Sequence, residues 1–220
     1  MLLFCDTDCL IQLFMVGRVS LLKWLKTRYG LASIVVPEVE IEVLWHRKFS
    51  DQFEHDFKKS VSTGIITVFD YSHPELHLAS ILTPPQAGAA TRAILDTGRY
   101  YAKRVGSGEA YSHAACIHLG MPLLSHDKSA IDTLSALSLD TAAPVLRVFD
   151  LIGHAYQHNN LAERDCDLIR QTLSKANEFL PRVFKKASFR DGFKNYDQRL
   201  LEGPPSPCQK FDDPLFLEPV

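Results

Sequence analysis

Five short apolar runs, LLFC (2–5), ASIVVP (32–37), IITVFD (65–70), MPLLS (121–125) and PVLRVF (144–149), are separated by longer stretches whose apolar residues recur with a helical period. Runs this short and this apolar read as strands buried on both faces. Strands separated by helices cannot pair as tight hairpins. They pair side by side in parallel, with the helices returning over the faces, so the chain is expected to be α/β with a mostly parallel sheet.

The punctuation between the runs divides the chain further. CLIQLFMVG stops at Gly17, VSLLKWLKTRYG at Gly30, DQFEHDFKKSVSTG at Gly64 and GEAYSHAACIHLG at Gly120, each a helix expected to end where glycine removes the penalty for a left-handed turn. Pro37 suits the first position of a helix over EVEIEVLWHRKF. AATRAILDTGRYYAKRV and DKSAIDTLSAL also read as helices, and a loop is expected around Pro84 and Pro85. DLIGHAYQHN and LAERDCDLIRQTLSKANEFL read as two helices parted by Asn159 and Asn160. This organisation gives a domain over 1–165, a helical basic and aromatic extension over 166–202, and a Pro-rich acidic tail over 203–220 that is too poor in periodicity to form its own core.

Bulk properties exclude some classes of function. With 24 basic and 26 acidic residues and a net charge of −2, any contact with a polyanion must come from a local patch. The five cysteines are scattered and lack CxxC pairs, which favours reduced thiols and a cytoplasmic setting over a disulfide framework or a zinc site. MLLFCDTDCLIQLF lacks a basic leader and is broken by Asp6 and Asp8, so it reads as neither a signal peptide nor a membrane span.

Four acids fall at element ends: Asp6 after the first strand, Glu42 one turn into the helix after the second, Glu109 at a helix start, and Asp127 after the fourth strand. Carboxylates from separate elements can converge on a hard divalent cation at a sheet's carboxyl edge. Taken singly, each could equally be a first-turn acid that complements the helix dipole. Glu38 shares a helical face with Glu42 and is the alternate to it, whereas Glu40 points away. Asp8 reads as a helix cap and Asp132 as a solvated residue.

LLFCDTDCLI, IVVPEVEIEVLW and GSGEAYSHAACIHLGMPLLSHD, in this order and with these intervening elements, resemble the PIN-domain ribonucleases, including the VapC-like toxins of toxin–antitoxin systems. The resemblance spans roughly residues 1–165. It implies a PIN-like three-layer α/β/α fold in which Asp6, Glu42, Glu109 and Asp127 are both the catalytic residues and the ligands of Mg²⁺ or Mn²⁺. The implied reaction is endonucleolytic hydrolysis of RNA, in single strands or loops, leaving a 5′-phosphate and a 3′-hydroxyl. Toxin, defence and RNA-processing roles are all open to such a protein, with an antitoxin, another protein or a second copy of the chain as partner and no membrane association. His126 departs from the pattern, standing beside Asp127 where many members carry another acid or Asn.

Substrate contact is expected from Arg99, Lys103 and Arg104, just before Glu109, and from Lys185, Lys186 and Arg190, which together with Arg182 and Lys194 are interleaved with Phe184, Phe189 and Phe193. The other reading of that second segment is a solvated helix whose Phe face packs on the domain. His113 and His118 lack the i,i+4 spacing of a zinc helix. Two other classes compete with the nuclease: a catalytically silent PIN-like RNA-binding or scaffold subunit, and a flavodoxin-like or receiver-type phosphoacceptor. The tail, with GPPSP and FDDPLFLEP, suits an extended segment lying on a partner or on the chain's own residues around Lys185, Lys186 and Arg190.

Overall fold

The computed structural model describes residues 1–45, 50–126, 145–176, 178 and 180–198. Its strands are β1 (Leu2–Cys5), β2 (Ala32–Val35), β3 (Ile66–Val68), β4 (Leu123–Leu124) and β5 (Val145–Leu146), paired in the order β3-β2-β1-β4-β5. Every pairing is parallel, with Phe4 opposite Ile34 on one side and Leu123 on the other. The α/β class expected from the alternation is therefore present, with helices flanking an all-parallel sheet. β1 is central, which explains why Leu3, Phe4 and Cys5 are fully buried.

The strand order fixes where a site can form. From β1 the chain steps outward to β2 and β3, then crosses back to β4 on the opposite side of β1. The connections leave β1 and β4 in opposite directions, which opens a crevice beyond the carboxyl ends of those two strands. Asp6 and Ser125 immediately follow them. The order also differs from the 2-1-3-4-5 arrangement of flavodoxin-like and receiver folds, which removes that reading.

Helices α1 (Thr7–Met15), α2 (Ser20–Tyr29), α3 (Pro37–Leu44) and α4 (Ser50–Ser62) follow in the expected order, α3 closing at Leu44, short of the expected HRKF end, which lies outside the described residues, and Gly30 closes α2 at φ 67°. A short α5 (Glu75–Leu78) precedes α6 (Pro84–Tyr101). Pro84 and Pro85, expected in a loop, instead begin α6: a first-turn proline forfeits no helical bond, and Thr83 and Gln86 form a capping box across them. Gln86→Ala, which removes the acceptor of the Thr83 N–H and hydroxyl, should therefore lower stability by about 1 kcal/mol in urea unfolding, and an unchanged midpoint would show that this pairing does not hold the helix end.

Helix α7 (Ser107–Leu119) packs along α6 and returns the chain to β4. The helix expected from DKSAIDTLSAL, together with Asp132, lies outside the described residues. β5 is shorter than PVLRVF suggested because Arg147 already caps α8 (Val148–Gln157), its N–H donating to Asp150 Oδ2 at 2.8 Å. Asp150 is fully buried and also takes the Arg147 guanidinium at 3.1 Å. That acid is spent on structure.

Helix α9 (Glu163–Lys175) runs through residue 165, where the first domain was expected to close. A 3₁₀ turn (Arg182–Phe184) and α10 (Phe189–Lys194) follow. Phe184 and Phe189 are 0 % exposed, and Phe184 stacks on Phe149 at 4.6 Å and on Phe189 at 5.4 Å. Gly153 of α8 makes room for Phe193 of α10, since a Cβ there would lie 2.5 Å from its ring. Arg147 seals the seam, its guanidinium 4.8 Å from the Tyr196 ring. Residues 180–198 thus share the core of the domain, and among the described residues no helix is long and apolar enough to cross a membrane.

Candidate functional site at the carboxyl edge of the sheet

Asp6 ends β1 and caps α1, its Oδ1 accepting the Cys9 N–H at 3.0 Å. Asp8, expected as the cap, is an exposed first-turn residue instead. The cap falls to Asp6 because its extended backbone (φ −84°, ψ 168°) is the conformation from which a side chain reaches back to the third following N–H.

The Asp6 side chain has an unusual environment for a carboxylate. The residue is 1 % exposed, and Oδ2 is buried with no hydrogen-bond partner among the described residues. Burial raises its pKa to about 7, against the lowering effects of the Ser125 hydroxyl and the Cys9 N–H, while Asp8 adds a further upward push. A buried carboxyl with a free oxygen at a topological switch point is poised to hold either a proton or a cation.

Glu42 is held between two helix starts. The Thr7 hydroxyl donates to its Oε2, and the Gly108 N–H donates to its Oε1 at 2.8 Å. Gly108 has to be small, because a Cβ there would meet Glu42 Oε2 at 2.4 Å, Glu42 Cδ at 2.9 Å and a Val39 methyl at 3.0 Å. Glu109 turns back over the same helix start, and its Oε2 accepts the Gly106 N–H at 3.2 Å. A Cβ on Gly106 would lie 3.5 Å from Glu109 Oε2 and 3.8 Å from Glu42 Oε1, so both carboxylates bracket one point. The positive end of α7 favours their charge.

The structure therefore brings Glu42 and Glu109 together at the start of α7. Asp6 is joined to them through Thr7, the next residue along. Asp127 lies outside the described residues. Glu38 does share the Glu42 face: it accepts the Tyr71 hydroxyl at 2.9 Å, and its pKa is raised by burial and, more weakly, by Glu42. Ser125 and His126 bring β4 into the site, with His126 Nδ1 3.2 Å from Cys9 Sγ. The Cys9 thiol is pushed well up by burial, then by Asp6.

Thr7, Gly108, Ser125 and the Cys9–His126 contact were not picked out from the sequence. A glycine immediately before the start-of-helix acid, as in GSGE, was the signal for Gly108. His118 is a structural residue as expected, its Nε2 2.7 Å from Thr97 Oγ1 and its pKa lowered by burial, and His113 is buried.

Arg99, Lys103 and Arg104 are exposed at the end of α6 and in the turn before α7. Lys185, Lys186 and Arg190 are also exposed, on the extension that packs against α8 and α9. There the expected base stacking fails for Phe184 and Phe189, whose rings are consumed by the core.

The donor chemistry suits a hard cation: hard carboxylate oxygens, one of them buried and unpartnered. Among the described residues, however, no three His, Cys, Asp or Glu side chains are grouped closely enough to hold a metal ion. Both Glu42 oxygens are engaged by Thr7 and Gly108. A complete ligand set would draw on Asp127. No protein-family model matches the chain, and no curated protein or solved structure matches it either.

Proposed function

We propose that the protein is a metal-dependent endoribonuclease of the PIN type, hydrolysing phosphodiester bonds in exposed RNA. The observation that carries this reading is the buried, unpartnered Asp6 Oδ2 at the β1/β4 crevice, one residue before Thr7, whose hydroxyl helps hold Glu42 at the same helix start that Glu109 covers. A carboxylate that is costly to ionise, at the end of a central strand next to the residue that holds Glu42, is explained by a cation that stabilises its charged form.

Asp6, Glu42, Glu109 and Asp127 would hold Mg²⁺ or Mn²⁺, which when bound supplies an activated water and neutralises charge on the phosphate. The chain's own contribution is placement. Asp6 is locked by the α1 cap, and Thr7 and Gly108 hold Glu42 through one hydrogen bond to each of its oxygens. The same two contacts favour a second reading, since a Glu42 already satisfied by protein donors suits a silent RNA-binding or scaffold subunit.

End-labelled single-stranded RNA incubated with Mn²⁺ decides between them. Cleavage to 5′-phosphate and 3′-hydroxyl ends, abolished by EDTA and lowered roughly 100-fold in Glu109→Gln and Asp127→Asn, is expected of the nuclease. Binding without cleavage under Mn²⁺ and under Mg²⁺ would identify the silent subunit. Wild-type rates in both variants would overturn the site assignment. Toxin, defence and RNA-processing roles follow from the same chemistry, with an antitoxin or other protein, or a second copy of the chain, as candidate partner.

A further inference from the structure

We infer that Tyr100 and Arg104, stacked on one another at the end of α6, form a platform that selects single-stranded over duplex RNA for the adjacent carboxylate site. This rests on the nuclease reading for what the platform serves, but not for what it binds.

Tyr100 is 51 % exposed, so a face of its ring is open to a ligand beside the α6–α7 pair. The Arg104 guanidinium lies over the ring, 4.7 Å from its centroid. Tyr101 meets Tyr100 edge-on at 5.4 Å and is itself buried against Ala110 of α7, which anchors the last turn of α6. The pair is therefore held in place before any ligand arrives.

Around it stand Lys103, which is exposed, and Arg99, whose exposed pairing with Asp96 at 3.5 Å is weak. A planar guanidinium stacked on an aromatic ring offers a flat surface for an unstacked base and leaves its edge N–H groups for phosphate. Bases inside a duplex present no free face to such a surface. The combination of a stacking plate with flanking positive charge is how single strands are held without sequence readout.

Position completes the argument. Only Val105 separates Arg104 from Gly106, so the platform lies about 7 Å along the chain from the point that Glu42 and Glu109 bracket. Basic residues at the end of α6 also complement the helix dipole, which accounts for their charge. That does not account for a half-exposed tyrosine under one of them. On the basic ridge of the extension Phe184 and Phe189 are buried, and the partly buried Phe193 and Tyr196 are engaged by Phe189 and Arg147.

The experiment is fluorescence anisotropy of the full chain, in EDTA, with a labelled single-stranded RNA and a duplex of the same sequence. The wild type should prefer the single strand. Tyr100→Ala should weaken single-strand binding roughly 10-fold while leaving duplex binding unchanged, and Tyr100→Phe should retain wild-type affinity. Arg104→Gln should weaken both and lower the salt slope by about one, whereas Tyr100→Ala leaves the slope alone. Equal losses in Tyr100→Phe and Tyr100→Ala, an unchanged single-strand preference in Tyr100→Ala, or no RNA binding by the wild type would each overturn the assignment. Tyr100-dependent binding without Mn²⁺-dependent cleavage would remove the nuclease reading and leave the platform standing. Cleavage and binding that both ignore Tyr100 would do the reverse.

Discussion

Asp6→Asn is expected to abolish RNA cleavage and, above pH 7 without divalent ions, to make the fold more stable than the wild type. The wild-type carboxyl has an ordinary carboxylate pKa when unfolded and about 7 when folded, so the folded state holds its proton more tightly. The stability this contributes is full below pH 4 and is lost as pH rises through 7, where the buried group must ionise. Asparagine never ionises and keeps the cap to Cys9 N–H, but its amide brings donors to the place of an oxygen without partners. The net gain at pH 8 is on the order of 2 kcal/mol, and it should vanish or reverse by pH 4. Urea unfolding of both proteins from pH 4 to 8 checks the sign. A difference that does not change with pH would mean that Asp6 does not titrate in this window. Added Mn²⁺ should raise wild-type stability and leave Asp6→Asn unmoved, which ties the strained carboxylate to the cation it is proposed to hold.

The frame of this site was legible in the sequence because it depends on local signals. Short apolar runs ended by Asp6 or followed by Pro37 mark strands and helix starts, and those starts are where acids reach the sheet edge. Pro84 misled because proline opens helices as well as loops, and only the Thr83–Gln86 pairing decides which. Asp8 misled in a similar way: both Asp6 and Asp8 are capping types, and which of them caps depends on backbone angles that composition does not display. The contacts that hold Glu42 lay beyond reading altogether. They join residues 35 and 66 positions apart, and nothing in Thr7 or Gly108 taken alone names Glu42 as its partner. The phenylalanines of the extension carried two meanings, stacking surface or core, and Phe149 on α8 resolved them by offering Phe184 a ring to pack on.

Gly108→Ala is the second large effect expected, and its direction is opposite to what helix propensity alone dictates. Gly108 lies inside α7, where alanine is favoured by about 1 kcal/mol. The added methyl would nevertheless meet Glu42 Oε2 at 2.4 Å, and the Val39 methyl at 3.0 Å leaves little room on the other side. Glu42 is the flexible partner, so the clash is relieved by swinging its carboxylate away, which breaks the bonds from the Thr7 hydroxyl and the Gly108 N–H. The fold should therefore lose only about 1–2 kcal/mol, the lost charge-assisted bonds being partly offset by the gain in propensity. Cleavage should fall roughly 100-fold, because the Glu42 carboxylate has left the site. A double-mutant cycle isolates the cause: in a Glu42→Ala background the extra methyl meets no carboxylate, and Gly108→Ala should become neutral or stabilising with no further loss of activity. An equal stability cost in both backgrounds would show that the methyl disturbs α7 against Val39 rather than Glu42. Full activity of the single variant would show that Glu42 is held at the start of α7 for structure alone.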